Sequence, residues 1–280
     1  MAATTLHRSY LYVPGDRPDR LEKALASAAD AVIADLEDAV APAGKAEARS
    51  AIAEVLRSDR ADGPEVLVRI NNDDQLGEDL AAVIGAGVGT VYLPKADSAS
   101  LGRLLAELGP SDTQVVALIE SARGLLDAAA LAATSGVRNL AIGEADLTAE
   151  LGIEPSDDRR EMWPLRSQLV VASAAAGIDP PTGPVSTDFR DLDDLREDTE
   201  ALRRAGFVAR SAIHPAQLEV INEVFTPSDA EVQRASRLVE LFEESVARGD
   251  GACVDDEGRM VDEAVVRSAR RVLARGRRTP

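Results

Sequence analysis

Short apolar runs and amphipathic stretches alternate along most of the chain. Runs of four to seven mainly apolar residues, bounded by polar or turn-forming residues, are typical of strands buried in a parallel sheet. The pattern predicts eight strands, at residues 9–13, 31–36, 65–70, 90–93, 115–119, 139–142, 180–186 and 208–213. The seventh is the weakest of these predictions.

The stretches between these runs have the composition and spacing of helices. Helices are predicted at residues 16–28, 45–56, 76–84, 99–108, 124–133, 159–176 and 192–205, and Asp16 is a suitable N-cap for the first of them. Strict alternation of strand and helix predicts a parallel sheet, and about eight such units close into a (β/α)8 TIM barrel. An open doubly wound sheet is the alternative, which is weakened because no Gly-x-Gly-x-x-Gly follows the first strand.

The pattern changes after Pro227. An amphipathic helix is predicted at residues 228–247, a turn-rich hairpin or loop at 249–258, and a last helix at 259–275. We therefore predict a barrel catalytic domain at residues 1–227 and a C-terminal helical extension, or lid, at 228–280.

Composition narrows the possible partners. Hydrophobic residues make up 45% of the 280 positions and charged residues 29%, as in folded globular proteins. The net charge of −18 argues against nucleic acid and anionic membrane surfaces as partners, although a metal or arginine can still attract an anionic substrate locally. No apolar run approaches the roughly 20 residues of a membrane span, and no signal-peptide segment is recognisable, so we expect a cytoplasmic protein.

The few cysteine and histidine residues limit the metal chemistry. Cys253 is the one cysteine, and His7 and His214 are the two histidines. An internal disulfide, a cysteine-based zinc site and a three-histidine centre are therefore excluded. A metal would be held mainly by oxygen, which favours Mg²⁺, Mn²⁺ or Ca²⁺.

Polar residues cluster where the predicted strands end. Glu120 follows the apolar run 115–119, and Asp146 follows the next strand. Because strand ends converge at one mouth of a barrel, these two carboxylates could hold a divalent metal together. The alternative is that each caps a helix or pairs with Arg123 or Lys95.

A buried arginine is the next candidate. Arg69 ends an apolar strand, where a guanidinium is costly unless it binds an anion. It could bind a substrate carboxylate or enolate oxygen, or else form a structural ion pair with one of three acids after the second strand, Asp35, Glu37 and Asp38. Those acids could instead hold metal-bound waters or cap a helix.

Seven motifs occur in order along the chain. They are Arg8-Ser-Tyr-Leu-Tyr-Val-Pro-Gly-Asp-Arg17, Asp35-Leu-Glu-Asp-Ala-Val40, Val68-Arg-Ile-Asn71, Leu93-Pro-Lys95, Leu118-Ile-Glu-Ser-Ala-Arg-Gly124, Gly143-Glu-Ala-Asp-Leu147 and Ala212-Ile-His-Pro-Ala-Gln217. Together they resemble the citrate lyase β-subunit family and its relatives, the malyl-CoA and citramalyl-CoA lyases, within the phosphoenolpyruvate-binding barrel superfamily. The resemblance covers nearly the whole chain and is much less specific for the substrate than for the family.

The resemblance implies a homotrimeric barrel with Mg²⁺ at its mouth, or Mn²⁺ in its place, and an acyl-CoA substrate. The family's metal ligands match Glu120 and Asp146, and its substrate-binding arginine matches Arg69. The residues that match the acyl-CoA channel are Tyr12, Arg17, Ile213, His214 and Pro215. Lys45 lies where a basic residue could approach the CoA phosphates. Read without the resemblance, His214 could be a general base, a cofactor contact or a structural histidine beside a rigid turn.

The tail resembles the malyl-CoA lyase branch. Gly258-Arg-Met-Val-Asp262 matches a segment that covers the neighbouring subunit's site and supplies a catalytic aspartate, here Asp262. An acid at the start of a helix is the plainer interpretation of Asp262. The expected reaction is reversible cleavage of a 3-hydroxy-3-carboxyl acyl-CoA into a 2-oxo acid and acetyl-CoA or a homologue. The alternatives are a citrate lyase β-subunit that acts on a carrier-protein thioester, a metal-dependent acyl-CoA thioesterase, and a non-catalytic sensor of CoA esters.

Overall fold

Eight parallel strands form a closed barrel in the computed structural model, which describes residues 6–58 and 63–276. The strands are β1 (Ser9–Pro14), β2 (Ala31–Asp35), β3 (Glu65–Arg69), β4 (Thr90–Leu93), β5 (Gln114–Ile119), β6 (Val137–Ile142), β7 (Asp179–Gly183) and β8 (Ala209–Ala212). Each strand pairs with its neighbours in chain order, and β1 closes the barrel against β8. The predicted (β/α)8 barrel is thus confirmed.

Helices separate successive strands and continue beyond the barrel. They are α1 (Pro18–Leu25), α2 (Lys45–Arg57), α3 (Leu76–Ile84), α4 (Ser98–Leu108), α5 (Ala122–Ala132), α6 (Glu144–Leu151), α7 (Trp163–Ala176), α8 (Leu192–Ala205), α9 (Leu218–Phe225), α10 (Asp229–Ala247) and α11 (Glu263–Gly276). The short helices α6 and α9 were not predicted. Asp16 does not cap α1, because Arg17 occupies the N-cap position and no side chain bonds the first turn.

The barrel interior is a packed core rather than a channel. Alternate residues of the strands point inward, and nine of them form one buried cluster: Tyr10, Ala31, Ile33, Leu67, Tyr92, Val116, Leu118, Ala141 and Ala209. The register places Ile33 of β2 between Tyr12 of β1 and Leu67 of β3. This core fixes the relative heights of the strand ends, and therefore of the polar residues that follow them.

The chain divides into two compact units, with the boundary between Glu223 and Val224. The second unit contains α10, α11 and a two-stranded hairpin of β9 (Cys253–Val254) and β10 (Met260–Val261). Phe242, Val261 and Val266 form its small core. Within the described residues, no helix is long and apolar enough to cross a membrane.

Candidate active site

The carboxyl ends of the barrel strands enclose a cavity of about 400 Å³. Seven of the predicted site residues line it: Tyr12, Asp35, Asp38, Arg69, Glu120, Asp146 and Ile213. They belong to or directly follow six different strands, so the convergence predicted from the barrel topology brings them into one cavity.

Glu120 is held in one orientation by backbone on two sides. Its Oε1 accepts a hydrogen bond of 2.8 Å from the backbone N–H of Lys95. Lys95 has a φ of 47°, a left-handed conformation that is rare for a residue other than glycine and is typical of functional sites. On the other side Glu120 packs against Gly143, where an added Cβ would lie 2.6 Å from its Oε2.

The environment of Glu120 favours a bound cation. Burial raises the pKa of Glu120 to about 7, the Lys95 N–H bond opposes this rise, and the nearby Glu37 and Asp146 charges add to it. Asp146 lies in the first turn of α6, directly after β6. No group of three or more His, Cys, Asp or Glu side chains with metal-binding geometry occurs in residues 6–58 and 63–276. Two carboxylates are nevertheless enough for Mg²⁺, which usually fills its other positions with water and substrate oxygens.

Arg69 is clamped by two acids. Its Nε and Nη2 donate to the two oxygens of Asp35 at 2.7 and 2.6 Å, and its Nη1 lies 2.8 Å from Glu37 Oε2. Burial disfavours its charge, but these carboxylates outweigh burial and hold the pKa of Arg69 above its ordinary value. A guanidinium has five N–H groups, so two remain for an anion in the cavity.

Two further side chains complete the surroundings of Arg69. The Lys95 ammonium donates to Glu37 Oε1 at 2.6 Å, which links Glu37 to the loop that also binds Glu120. The Arg69 guanidinium lies 5.1 Å from the centre of the Tyr12 ring. Burial raises the pKa of the Tyr12 hydroxyl, so this side chain is neutral at physiological pH.

The structure adds Glu144 and Arg166 to the residues found from sequence. Glu144 lines the cavity and accepts hydrogen bonds from Arg166 Nε and Nη2 at 2.6 and 3.0 Å. Arg166 is fully buried and also bonds Asp198 at 2.8 Å. A lone arginine in the otherwise uncharged helix α7 was the sequence signal for this pair, since a buried guanidinium needs an acidic partner.

Lys45, which the family resemblance suggested could approach the CoA phosphates, has its ammonium bound inside the protein. Its ammonium is buried and donates to the backbone carbonyls of Leu36 and Glu37 and to Asn71 Oδ1. All three N–H donors are therefore used inside the protein. The structure gives Lys45 the role of fixing the loop after β2 rather than of approaching CoA phosphates.

The other predicted CoA contacts lie outside the cavity lining, apart from Tyr12 and Ile213. Arg17 is exposed and pairs with Asp19 at 3.0 Å. His214 is exposed, its Nδ1 accepts from the backbone N–H of Ala216, and its ring stacks on Phe189 at 4.6 Å. Pro215 begins the short 3-10 turn that this hydrogen bond caps.

Asp262 lies in the second unit, between the hairpin and α11. Its Oδ1 accepts hydrogen bonds of 3.0 Å from the backbone N–H groups of Ala264 and Val265. It therefore caps α11, as the plainer interpretation of the sequence expected. Both of these capping bonds are made by Oδ1.

Comparisons with known proteins identify the family of this chain. The family model described as HpcH/HpaI aldolase/citrate lyase matches residues 8–215. A protein named (3S)-malyl-CoA thioesterase from Cereibacter sphaeroides is 38% identical over 96% of this chain and 94% of its own length. An L-malyl-CoA/beta-methylmalyl-CoA lyase from the same species is 32% identical over 94% of this chain and 92% of its own.

A solved structure is also similar over nearly the whole chain. The protein CitE from Mycobacterium tuberculosis, in complex with magnesium, acetoacetate and coenzyme A, superposes with a TM-score of 0.78. It is 34% identical and the match covers 96% of this chain and 97% of that one. The chain belongs to the HpcH/HpaI aldolase/citrate lyase family.

Proposed function

We propose that this protein is a magnesium-dependent carbon–carbon lyase. It would cleave a malyl-CoA-like or citramalyl-CoA-like 3-hydroxy-3-carboxyl acyl-CoA, reversibly, into a 2-oxo acid and acetyl-CoA or a homologue. The observation that carries this proposal is a single cavity lined by two carboxylates, Glu120 and Asp146, and by the partly available guanidinium of Arg69. A cavity with these acidic and basic side chains would accept an anionic substrate that chelates the metal.

Glu120 and Asp146 would hold the metal. Both are carboxylates at the ends of adjacent strands, both line the cavity, and the Glu120 side chain is fixed from two sides. An oxygen-only donor set with two carboxylates fits Mg²⁺, with Mn²⁺ as the alternative. When bound, the ion supplies Lewis acidity and a template for the substrate oxygens.

Arg69 would stabilise the negative charge that develops on the reacting oxygens, using the two N–H groups that Asp35 and Glu37 leave over. The bond that breaks joins the hydroxyl-bearing carbon to the carbon next to the thioester carbonyl. The hydroxyl loses its proton and becomes the carbonyl of the 2-oxo acid, and the carbon next to the thioester takes up a proton. Asp35, Glu37 and Asp38 would position Arg69 and metal-bound waters rather than react.

Asp262 would deliver that proton from a neighbouring copy of the chain. It would protonate the enolate carbon in the cleavage direction and remove the same proton in condensation. The tail that carries it would also exclude water from the enolate. This role implies a homo-oligomer, which we propose to be a homotrimer in the cytoplasm.

The thioester would extend from the cavity across its rim. Tyr12 and Ile213, which line the cavity, would contact the part of the substrate nearest the reacting carbons. Arg17, His214 and Pro215, which are exposed, would contact the remainder of CoA. Lys45 has no part in this proposal, because its donors are occupied within the protein.

Hydrolysis of the thioester is the second candidate function. The 38% identical relative is named a malyl-CoA thioesterase, and the same metal site could direct a water at the thioester carbonyl. A third reading, a β-subunit that needs a carrier-protein thioester, is less favoured by the tail. It would be excluded as the main role by turnover of free CoA esters.

A condensation screen tests the lyase proposal. The purified protein is incubated with Mg²⁺ and pairs of an acyl-CoA and a 2-oxo acid, and new acyl-CoA products are detected by mass spectrometry. We expect product from at least one pair, and none in excess EDTA or with Glu120→Ala. Full activity in EDTA would refute the metal site, and no product from any pair would refute the lyase.

A further inference from the structure

The two carboxylates that would hold the metal are fixed to very different degrees. Glu120 accepts a hydrogen bond from the Lys95 N–H and packs against Gly143. Asp146 is exposed, and among the residues that the structure describes no hydrogen bond or ion pair holds its carboxylate. The position of Asp146 in the cavity therefore depends on helix α6, which carries it.

Helix α6 has little to hold it in place by itself. Of the eight residues described for this helix, Leu147 is the one that is buried, and no described side chain caps its first turn. At its far end Glu150 accepts from the backbone N–H of Ala122 at 3.1 Å, in an exposed contact. So short a helix is not stable without contacts to the rest of the fold.

An ion pair in the first turn of α6 supplies the main contact. The two carboxylate oxygens of Glu144 accept hydrogen bonds from Arg166 Nε at 2.6 Å and from Arg166 Nη2 at 3.0 Å. Two parallel bonds between a guanidinium and a carboxylate fix direction as well as distance. Asp146 lies two residues further along the same turn, so this pair also fixes the backbone from which Asp146 projects.

Arg166 is in turn held by buried groups. It is fully buried on α7, and its Nη1 donates to Oδ1 of Asp198 on α8 at 2.8 Å. The other oxygen of Asp198 lies 2.8 Å from Nη2 of Arg210 on β8. Arg210 Nε donates to the carbonyl of Pro184, just after β7, at 3.0 Å. These contacts connect α6 to the wall of the barrel, and we call the four charged residues the α6 anchor: Glu144, Arg166, Asp198 and Arg210.

Stability alone does not account for the α6 anchor. Desolvating buried charges is costly, and apolar side chains of similar volume often stabilise a fold equally well or better. What a chain of ion pairs adds is a defined position for each group along it. The α6 anchor reaches the cavity at Glu144, which lines it together with Asp146.

We propose that the α6 anchor positions Asp146 for the metal, with Arg166 as the central positioning residue. Arg166 does not line the cavity and acts through Glu144. The inference rests on the proposed function, because that is where Asp146 is assigned as a metal ligand. Mg²⁺ demands a near-ideal octahedron of ligands, whereas Ca²⁺ accepts a flexible one. Loss of positioning should therefore weaken Mg²⁺ binding more than Ca²⁺ binding.

The test titrates the full-length, metal-free protein with Mg²⁺ and, separately, with Ca²⁺. Arg166→Lys keeps the charge but loses the planar fork, so it cannot hold both Glu144 and Asp198. We expect Mg²⁺ affinity to fall by ~10–100-fold and Ca²⁺ affinity to fall much less. Arg138→Lys is the matched control, because this buried arginine bonds Glu65 at the opposite end of the barrel, and it should bind both ions like the wild type.

The possible outcomes separate this inference from the proposed function. Wild-type Mg²⁺ affinity in folded Arg166→Lys protein would overturn the inference and leave the metal site standing. Equal losses for Mg²⁺ and Ca²⁺ would also overturn it, because they would point to charge rather than position. A wild type that does not bind Mg²⁺ would refute the proposed metal site and the inference with it.

Hydrogen exchange of the metal-free protein gives a second readout that needs neither metal nor substrate. Glu144→Gln breaks the ion pair from the cavity side, leaves Arg166 bonded to Asp198, and decides the matter if Arg166→Lys does not fold. We expect the backbone amides of α6 to exchange about 10-fold faster than in the wild type, because a charged hydrogen bond is lost, with α4 unchanged. Unchanged exchange in α6 would mean that the α6 anchor does not hold this helix.

Discussion

Replacing Gly143 by alanine tests how tightly Glu120 is held beside the cavity. An added Cβ would lie 2.6 Å from Glu120 Oε2 and 2.7 Å from Glu120 Cβ, whereas ordinary contacts begin at 3.4 Å. The backbone of Gly143, with φ −105° and ψ 89°, is not in the left-handed region, so left-handed strain at position 143 is not the obstacle. The perturbation therefore falls on the Glu120 carboxylate.

The size of the effect follows from these distances. Glu120 must retreat by about 0.8 Å to restore ordinary contact, yet its Oε1 is held by a 2.8 Å bond to the Lys95 N–H. A shift of this size cannot be made without disrupting that hydrogen bond. Metal–ligand distances tolerate changes of only about 0.2 Å. We expect Mg²⁺ affinity to fall by ~10–100-fold and kcat/KM by about 10²-fold.

Isothermal titration with Mg²⁺ or Mn²⁺ in the absence of substrate measures the first effect, and steady-state kinetics the second. Gly102→Ala in α4 is the matched control, because nothing lies within 4 Å of the added Cβ. It should bind metal like the wild type and stabilise α4 by up to about 1 kcal/mol. Wild-type metal affinity in a folded Gly143→Ala protein would refute the placement of Glu120 as a rigid metal ligand.

Three further predictions concern the shared site, the guanidinium and the base of the barrel. Mixing equal amounts of Glu120→Ala and Asp262→Asn chains should restore up to about one quarter of wild-type turnover, because one site in four then combines an intact barrel with an intact tail from the neighbouring chain. No recovery on mixing would mean that both groups act within one chain. Arg69→Lys should lower kcat/KM by ~10²–10³-fold, because an ammonium cannot both satisfy Asp35 and Glu37 and reach the substrate, and a loss confined to KM would argue for binding alone. Glu65 begins β3, which lies between β2 and β4, at the end of the barrel opposite the cavity. Partial burial raises the pKa of this carboxyl, but the hydrogen bonds from His7 and Arg138 outweigh burial and lower the pKa to about 2. The ionised Glu65 therefore stabilises the fold above the unfolded pKa of about 4.3, and this stabilisation is lost as pH falls towards 2. Its size is at most about 3 kcal/mol, and nearer 1–2 kcal/mol because one third of the side chain is exposed. Urea unfolding should therefore show a deficit of Glu65→Gln against wild type that shrinks between pH 7 and pH 3.5, whereas a constant deficit would contradict the pKa assignment.

The barrel and the converging acids were predictable because they depend on periodicity. Alternating runs define strands, and strand ends meet at one mouth whatever the details of packing. Asp35, Arg69, Glu120 and Asp146 were found for this reason. The helix α6 was missed because it is short and follows its strand without a polar cap, Gly143 being at the N-cap.

Other features depend on contacts that a sequence does not display. The expectation that Lys45 could approach the CoA phosphates rests on the family resemblance, whereas in the structure carbonyl groups of the loop after β2 accept hydrogen bonds from its ammonium. The part of Lys95 that touches Glu120 is its backbone N–H, which is presented by an unusual φ of 47°. The pairing of Glu144 with Arg166 joins residues 22 positions apart, one on α6 and one on α7.

Product analysis with a single substrate tests the central claim most directly. The protein is incubated with (3S)-malyl-CoA and Mg²⁺, and the products are separated and identified by mass spectrometry, with a hydrazine reagent to trap any 2-oxo acid. Cleavage of the carbon–carbon bond predicts glyoxylate and acetyl-CoA in equal amounts, abolished by EDTA and by Glu120→Ala. Free CoA and malate in equal amounts, with no trapped 2-oxo acid, would contradict the lyase and establish thioester hydrolysis instead.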